Sequence, residues 1–306
     1  MSDREPDVSI VIVSYEARDV LAHCLEAVAG GPWEVVVVDN ASTDGSPALV
    51  RERFPSVRLV ELPENRGFGA GNNVGMRLAR GRYVLLLNSD AWPAGDAIEH
   101  LVAFAERHPE VGAAGPLLRR PDGSLQASVR GFPTVWRLCT EYFFLRKLAP
   151  RSRLFNAFYG AGFDYASERE AEFLMGAVLL LRREALADVG GFDERFFMFS
   201  EEVDLCYRLR RAGWQVAFTP AAEFVHVGGA STRPQWGRMY REQLRGHLLF
   251  LAKHSGPAEA ERARRWLVRA LRLRGLLFRG ERGRTYREAA SWLASASAEA
   301  LLEPGR

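Results

Sequence analysis

Cysteine is scarce in this chain of 306 residues, and long hydrophobic runs are absent. Cys24, Cys139 and Cys206 are odd in number and far apart, which fits neither a disulfide framework nor the paired spacing of a zinc site. No apolar run reaches the roughly 18 residues of a membrane-spanning helix. The polar start through Asp7 lacks the basic and apolar regions of a signal peptide. The sequence therefore predicts a cytoplasmic protein with free thiols and no membrane span.

A strong excess of one charge is also lacking. The formal net charge is only +3, and the hydrophobic content of 47% is ordinary for a globular protein. This balance gives no reason to expect a nucleic-acid partner. The length exceeds that of an average domain, and it predicts one catalytic domain followed by a helical extension.

Apolar strands alternate with helices from Val8 to about Gly131. Strands are predicted at 8–14, 34–38, 57–62 and 83–87, and helices at 20–29, 47–54, 72–79 and 95–107. This alternation predicts βαβ units in an α/β fold with a mostly parallel sheet.

The later part of the chain changes character twice. Periodicity is lost in an aromatic and basic stretch, which predicts an insertion at about 131–171. It resumes at 173–182, with a helix at 200–212 and strands at 215–218 and 223–227. Beyond Arg233 the sequence predicts basic amphipathic helices, so the expected domains are 1–232 and 233–306.

Two of the predicted buried strands end in aspartate. Val35 to Val38 is followed by Asp39, and the strand at 83–87 is followed by Asn88-Ser89-Asp90. Open α/β sheets bind ligands at the carboxyl ends of their strands. A carboxylate there, with other oxygen ligands, can hold a divalent cation that itself holds a phosphate. The alternative is that each aspartate only starts a turn or caps a helix.

Three carboxylates follow the aromatic run 196–199. Glu201, Glu202 and Asp204 are crowded and close to aromatic rings, and both effects raise the pKa of a carboxylate toward that of a general base. On a helix Glu201 and Asp204 share a face, whereas Glu202 is turned about 100° away. The alternative is an acidic first helical turn capped by Ser200, with Asp204 paired to Arg208.

A histidine and a glycine-rich loop complete the candidate motifs. His226 precedes Gly228-Gly229-Ala230-Ser231 and could complete a divalent-metal site with Asp90, although an isolated structural histidine is the alternative. The loop 65–73 is suited to laying backbone against a ligand, or is simply a turn. It matches neither the dinucleotide fingerprint nor a Walker A motif.

Taken in order, these motifs resemble the family 2 glycosyltransferases, and within that family the bacterial rhamnosyltransferase type. The resemblance covers about 8–231, and the segments that carry it are 8–15, 38–45, 65–73, 87–90, 190–194, 201–204 and His226. It implies a GT-A fold, a nucleotide-diphosphate sugar donor, a divalent metal (Mg²⁺ or Mn²⁺) and an inverting displacement at the anomeric carbon.

The resemblance also implies roles for single residues. Asp39 would contact the nucleobase, Asp90 and His226 would hold the metal and the diphosphate, and Glu202 would be the base, with Asp204 in reserve and Glu201 beside them. The implied nucleotide-binding residues are Ser14, Tyr15, Asp39, Asn65, Gly67, Asn73, Asn88 and Ser89. Two departures matter, because Asn88-Ser89-Asp90 has a single charged ligand and Glu201-Glu202 stands where the family usually has Glu-Asp.

The implied function is transfer of a sugar, rhamnose by the nearest resemblance, from a dTDP- or UDP-sugar to a hydroxyl of a glycan or lipid-linked glycan in cell-envelope polysaccharide synthesis. The basic, aromatic stretches 130–159 and 262–284 favour a surface resting on the anionic inner face of the cell membrane. The alternative is a helical face in solvent, packed on the catalytic domain, or packed on a second copy of the chain.

Two competing functions are a sugar-phosphate nucleotidylyltransferase and a non-catalytic nucleotide-sugar-binding module. The first should carry a basic, glycine-rich loop after the first strand, where this chain has Ser14-Tyr15-Glu16-Ala17-Arg18. The second would be eliminated by detectable turnover.

Overall fold

The computed structural model describes residues 7–229 and 235–296. Its strands are β1 (Val8–Ser14), β2 (Glu34–Asp39), β3 (Arg58–Glu61), β4 (Tyr83–Asn88), β5 (Ala91–Pro93), β6 (Val111–Arg119), β7 (Leu125–Gln126), β8 (Val129–Arg130), β9 (Arg169–Glu170), β10 (Phe173–Leu174), β11 (Val178–Arg182) and β12 (Gln215–His226).

The helices alternate with these strands in the first half and follow them in the second. They are α1 (Arg18–Val28), α2 (Ser46–Arg53), α3 (Phe68–Leu78), α4 (Ala97–Arg107), α5 (Val135–Tyr142), α6 (Arg153–Asn156), α7 (Arg183–Val189), α8 (Glu201–Arg211), α9 (Trp236–Ser255), α10 (Pro257–Leu277) and α11 (Gly280–Ser295), with short 3₁₀ turns at Leu145–Lys147 and Ala157–Tyr159.

The uninterrupted apolar strands form the centre of a mixed, mostly parallel sheet, as the sequence predicted. Its order is β3-β2-β1-β4-β11-β6-β12-β5, and β11 runs antiparallel to both of its neighbours. In the parallel half Ser14 lies opposite Asp39, and Val13 lies opposite Asn88. The carboxyl ends of β1, β2 and β4 are therefore level, and the polar residues that follow them meet at one edge.

Both faces of the sheet are covered, which explains why its central strands have almost no polar residues. Ile10, Ile12 and Leu85 pack toward α1, α2 and α4 on one face. Val11 and Leu86 pack toward α3, α7 and α8 on the other. The alternation follows from the period of two residues along a strand.

A third core joins the predicted insertion to the C-terminal helices. Leu138 and Tyr142 of α5 pack against apolar residues of α9, α10 and α11. The buried Arg274 side chain of α10 donates to the carbonyl oxygens of Tyr142 and Glu141, each over 2.7 Å. Within the described ranges, none of the helices combines the length and apolarity needed to cross a bilayer. The expected domain boundary at 232/233 lies outside the described residues.

Several elements differ from the predicted ones. The strand β6 was not predicted, because two glycines and a proline read as turn residues. Gly115 is needed there for close approach, since a Cβ atom at this position would lie 2.9 Å from Cδ1 of Leu174. The two predicted strands at 215–227 form the single strand β12, whose pairing register shifts between Thr219 and Glu223. The helix α7 was also missed, and α3 begins at Phe68 rather than at residue 72.

Candidate active site

A cavity of about 380 Å³ lies at the level ends of β1, β2 and β4. Eight of the residues predicted for the site line it: Tyr15, Asn65, Asn88, Ser89, Asp90, Glu201, Glu202 and His226. The others, Ser14, Asp39, Gly67, Asn73 and Asp204, do not belong to its lining. Residues that are far apart in sequence are thus brought together around one space.

Asp90 and His226 are in direct contact across the cavity floor. Oδ1 of Asp90 lies 3.2 Å from Nε2 of His226, and Oδ2 of Asp90 accepts from the amide of Gly228 at 3.0 Å. Pairing of β5 with β12 sets His226 opposite Ala91, the residue after Asp90. Ala230 and Ser231, at the end of the predicted flexible stretch, lie outside the described residues.

The hydrogen bonds of His226 indicate which ring nitrogen carries its proton. Nδ1 lies 2.9 Å from Oε1 of Gln126, an acceptor, so Nδ1 donates, and in the neutral imidazole the lone pair of Nε2 then points to Asp90. The amide Nδ2 of Asn88 lies 3.3 Å from the same Nε2. An imidazole lone pair and a carboxylate oxygen in contact repel each other unless a cation or a proton lies between them.

The donor atoms around Asp90 fit a divalent cation of the Mg²⁺ or Mn²⁺ type. Oδ1 of Asn88 is buried and has no hydrogen-bond partner in the described part of the chain. It would add an oxygen ligand to the Asp90 carboxylate and the His226 imidazole. Among the described residues no three His, Cys, Asp or Glu side chains form a metal-binding group. The protein would therefore supply a single negative charge to the cation, and a bound phosphate would have to supply the remaining negative charge.

The glycine-rich loop holds the aromatic segment beside the cavity. Gly67 has a φ of +86°, and a Cβ atom there would lie 2.2 Å from the carbonyl oxygen of Phe197. The amide of Phe68 donates to that same oxygen at 2.9 Å. Asn40, a cavity residue that the sequence did not single out, donates to the carbonyl oxygen of Gly67 at 3.0 Å. Only a glycine at position 67 allows the close approach to the Phe197 carbonyl oxygen.

Asn73 and Asp39 support the walls behind the lining. Asn73 exchanges two hydrogen bonds with the backbone of Phe192, at 2.8 and 2.9 Å, and so fixes the turn after α7. Oδ2 of Asp39 accepts from the amide of Ser42 at 2.8 Å, while its buried Oδ1 has no partner within the described residues. Burial raises the pKa of Asp39 despite the bonds from Ser42. Ser14 at the end of β1, which lies opposite Asp39 at the end of β2, is also fully buried.

Glu201 and Glu202 begin α8 at the cavity wall. Phe199 and Ser200, with φ of +68° and +73°, turn the chain sharply into the helix, and the Ser200 side chain does not cap it. In both glutamates Oε2 is buried and without a partner in the described part of the structure. Burial raises the pKa of both, and the charge of Glu202 raises that of Glu201 further. Because the pKa of each is raised, these two carboxyl groups can hold a proton or accept one from a bound molecule.

Asp204 lies one helical turn further on, among positive charges outside the cavity lining. Its carboxylate contacts Nζ of Lys253 at 2.7 Å, Nε2 of His254 at 2.8 Å and Nε of Arg208 at 2.8 Å. Burial alone would raise its pKa, but the hydrogen bond from His254 and the charges of Arg208 and Lys253 outweigh burial and lower it. Asp204 therefore fastens α8 to α9.

Among the further polar lining residues that sequence reasoning did not assign to the cavity are Gln126, Arg130, Arg238 and His247. Gln126 and Arg130 lie on the short strands β7 and β8, and Arg238 and His247 lie on α9. Short strands and a helix beyond the catalytic motifs carry no recognisable signal. Arg130 stood out only as one basic residue among many.

Comparison with known proteins gives a consistent result. Residues 9–189 match the family model "Glycosyl transferase family 2". The chain is 37% identical over 241 residues to N-acetylglucosaminyl-diphospho-decaprenol L-rhamnosyltransferase of Mycobacterium tuberculosis, which covers 74% of this chain and 76% of that protein. It is 24% identical over 267 residues to Rhamnosyltransferase WbbL of Escherichia coli, with 80% and 93% covered.

A solved structure supports the fold. The mannosyltransferase PcManGT from Pyrobaculum calidifontis, determined in complex with GDP-Man and Mn²⁺, aligns with a TM-score of 0.55. The alignment covers 98% of this chain and 88% of that one, at 20% identity. At this level of identity the two proteins are similar in fold only.

Proposed function

The chain belongs to glycosyl transferase family 2, and we propose that it transfers rhamnose from a nucleotide-diphosphate donor to a hydroxyl of a lipid-linked diphosphate glycan. Its GT-A fold and its family make it a glycosyltransferase. The choice of sugar and acceptor is supported by the 37% identity to the mycobacterial enzyme, whose name contains both. The observation that carries the proposal is one cavity lined by Asn88, Asp90 and His226 together with Glu201 and Glu202.

Asn88, Asp90 and His226 are the residues that would hold a divalent metal, which would neutralise charge on the leaving diphosphate. The protein prepares this site by fixing two of the three side chains. The Gly228 amide orients the Asp90 carboxylate, and Gln126 orients the His226 ring. Such supporting contacts keep ligands in place before the substrate arrives.

For the nucleotide we propose direct contact with the lining residues Tyr15, Asn65, Asn88 and Ser89. We assign indirect roles to the predicted residues that lie behind them. Gly67 and Asn73 shape the loop and α3, and Ser14 and Asp39 end the two strands beside them. Asp39 is the exception among these residues, because its Oδ1, which has no partner within the described part of the chain, is suited to accept from a donor group of the base.

Glu202 is the proposed general base. As an acceptor hydroxyl attacks the anomeric carbon, a carbon–oxygen bond forms, the bond to the diphosphate breaks, and the hydroxyl proton passes to Glu202. A single displacement of this kind inverts the configuration. Burial raises the pKa of both glutamates and the charge of Glu202 raises that of Glu201 further, so we assign the proton of the pair to Glu201 and the negative charge to Glu202. The pair therefore holds one negative charge rather than two.

The test is release of nucleotide diphosphate from a panel of donors: dTDP-rhamnose and common UDP- and GDP-sugars. Each is assayed with Mg²⁺ or Mn²⁺ and again with a chelator, using an N-acetylglucosaminyl diphosphate with an alkyl chain as acceptor. We expect metal-dependent release from dTDP-rhamnose and a product of inverted configuration by NMR. Absence of donor binding by calorimetry, for every sugar in the panel, would refute the proposal.

Membership of this family leaves no support for a nucleotidylyltransferase or a non-catalytic module.

An enzyme with a lipid-linked acceptor must reach the surface of the bilayer. We propose that an apolar rim made of Leu148, Trp266, Leu273, Leu276 and Leu277 rests on it. Leu148 is 79% exposed and Leu276 is 82% exposed. Ring contacts of Phe143 with Trp266 and of Phe144 with Phe278 hold the two parts of the rim together.

The charges around the rim suit an anionic membrane. Lys147, Arg269, Arg272, Arg279 and Arg282 are exposed, and none has a carboxylate partner within the described residues. Each such cation near an anionic surface contributes about 1 kcal/mol. Co-sedimentation with phosphatidylglycerol vesicles tests this. The double variant Leu276→Glu/Leu277→Glu should lose binding, whereas Arg211→Glu, with the same change in charge on exposed α8 surface, should not. Equal binding of both variants would refute membrane contact through the rim.

A further inference from the structure

Two guanidinium groups in the cavity lining have no carboxylate partner among the described residues. Arg130 on β8 and Arg238 on α9 both line the cavity, and neither forms an ion pair in the part of the chain that the structure describes. Nε of Arg130 is buried and lacks any hydrogen-bond partner there. A buried donor on a charged group is unfavourable unless a ligand satisfies it.

Aromatic rings, rather than acids, hold both side chains. The guanidinium carbon of Arg130 lies 4.8 Å from the ring centre of Tyr159, and that of Arg238 lies 4.9 Å from the ring centre of Phe197. Stacking fixes a guanidinium by its face and leaves its N–H groups free to bind in the plane. Arg146 provides a contrast, since it stacks on the same Tyr159 ring at 4.7 Å but is bound by Glu141 outside the lining.

The side chains that line the cavity around Arg130 are mostly apolar, and the acidic group on which its charge acts is the buried Glu202. Phe158, Phe173 and Met175 line the same cavity, and Phe173 lies opposite Arg130 in the pairing of β10 with β8. His247 also lines it, and burial together with the nearby Arg130 lowers its pKa to about 4, so the imidazole is neutral. An unpaired cation among apolar side chains is suited to an anionic group that continues into an apolar chain.

We propose that Arg130, assisted by Arg238, binds the diphosphate group of the lipid-linked acceptor. The inference rests on the proposed function and assigns residues to its acceptor. The donor side of the cavity comes from the ends of β1, β2 and β4, where Asp90 and His226 provide for a diphosphate already. Arg130 comes from β8, beside β10, and its charge acts on Glu202 and His247. A diphosphate held there places the sugar that follows it toward the proposed base.

The test compares Arg130→Met with Arg146→Met, the matched control that leaves the cavity lining intact. Initial rates are measured against the acceptor, an N-acetylglucosaminyl diphosphate with an alkyl chain, and separately against the donor. For Arg130→Met we expect a KM for acceptor raised about 10- to 100-fold and a donor KM within about twofold of wild type. Arg130→Lys should recover part of the loss. A raised donor KM instead, or a lowered kcat with both KM values unchanged, would refute the assignment.

A binding measurement keeps the inference separate from the proposed reaction. Calorimetric binding of an alkyl diphosphate without sugar needs no turnover, so it applies even if rhamnose is the wrong sugar. Wild type and Arg146→Met should bind it. Arg130→Met and Arg238→Gln should bind it at least about tenfold more weakly, and the Arg238 side chain is exposed enough for its replacement to leave the fold intact. All four should bind nucleotide diphosphate with Mn²⁺ alike. Failure of wild type to bind the alkyl diphosphate would overturn this inference while leaving donor hydrolysis unaffected.

Discussion

The variant Asp204→Asn should unfold at a lower temperature than wild type and should still catalyse sugar transfer. The side chain is fully buried and accepts from three basic groups of α8 and α9, at 2.7 and 2.8 Å. Asparagine has nearly the same shape, but it removes the negative charge that these groups share. Arg208, Lys253 and His254 would then face each other with less compensation.

The expected loss follows from the burial of these charges. Removing one member of a buried ion pair destabilises a protein by about 3 to 5 kcal/mol, because the other charge stays buried and unpaired. Lys253 keeps a second partner, Oδ2 of Asp193 at 2.7 Å, which favours the lower end of that range. A loss of about 3 kcal/mol corresponds to a melting temperature lowered by about 6 to 12 °C.

The assay pairs thermal unfolding with donor turnover at a temperature where both proteins are folded. Asp204→Asn should retain turnover within about tenfold of wild type. Glu202→Gln should do the opposite, retaining its melting temperature and losing about 10²- to 10⁴-fold in turnover, the usual contribution of a general base. An Asp204→Asn protein that melts like wild type but is inactive would show that Asp204 takes part in the reaction and that Glu202 is wrongly assigned.

Three further predictions concern other parts of the site. Burial raises the folded-state pKa of Glu201 above its ordinary 4.5, so its contribution to stability is complete below that value and is lost as pH rises through the folded pKa. Glu201→Gln should therefore gain in melting temperature over wild type from about pH 5 to about pH 8, and parallel curves would contradict this. Gly67→Ala should destabilise by about 2 to 4 kcal/mol in urea unfolding, because of its φ and the Phe197 carbonyl. The control Gly95→Ala, with φ of +56° and no atom within 4 Å, should lose only about 1 kcal/mol, and an equal loss would disprove the steric reason. Gln126→Leu should weaken Mn²⁺ binding about 10- to 100-fold in an EPR titration with nucleotide diphosphate, and unchanged affinity would remove its role in orienting His226.

The proposed donor half of the site could be predicted from sequence because its residues follow directly on strands. Asn88 and Asp90 come just after an unbroken apolar strand, and the parallel register brings that strand end level with those of β1 and β2. Local pattern and sheet geometry are enough to predict such a site. The three carboxylates of α8 were also recognisable as a group.

The different surroundings of these three carboxylates were not predicted, because they depend on packing by residues that are distant in sequence. Helical spacing placed Glu201 and Asp204 on one face, but Lys253 and His254 from α9 draw Asp204 away from the cavity lining. Arg130 is likewise an ordinary basic residue until Tyr159 and α9 enclose it. The strand β6 was missed since Gly115 serves a close contact with Leu174, a residue far later in the chain.

The third core has a consequence for the order in which the protein is made. Asn88 and Asp90 leave the ribosome early, whereas α5, the first helix after the strand β8 that carries Arg130, shares its core with α9, α10 and α11, as far as Leu293. The proposed acceptor side therefore cannot fold completely until the chain has been translated to Leu293. A nascent or truncated chain would have the donor-side residues without the wall proposed to select the acceptor.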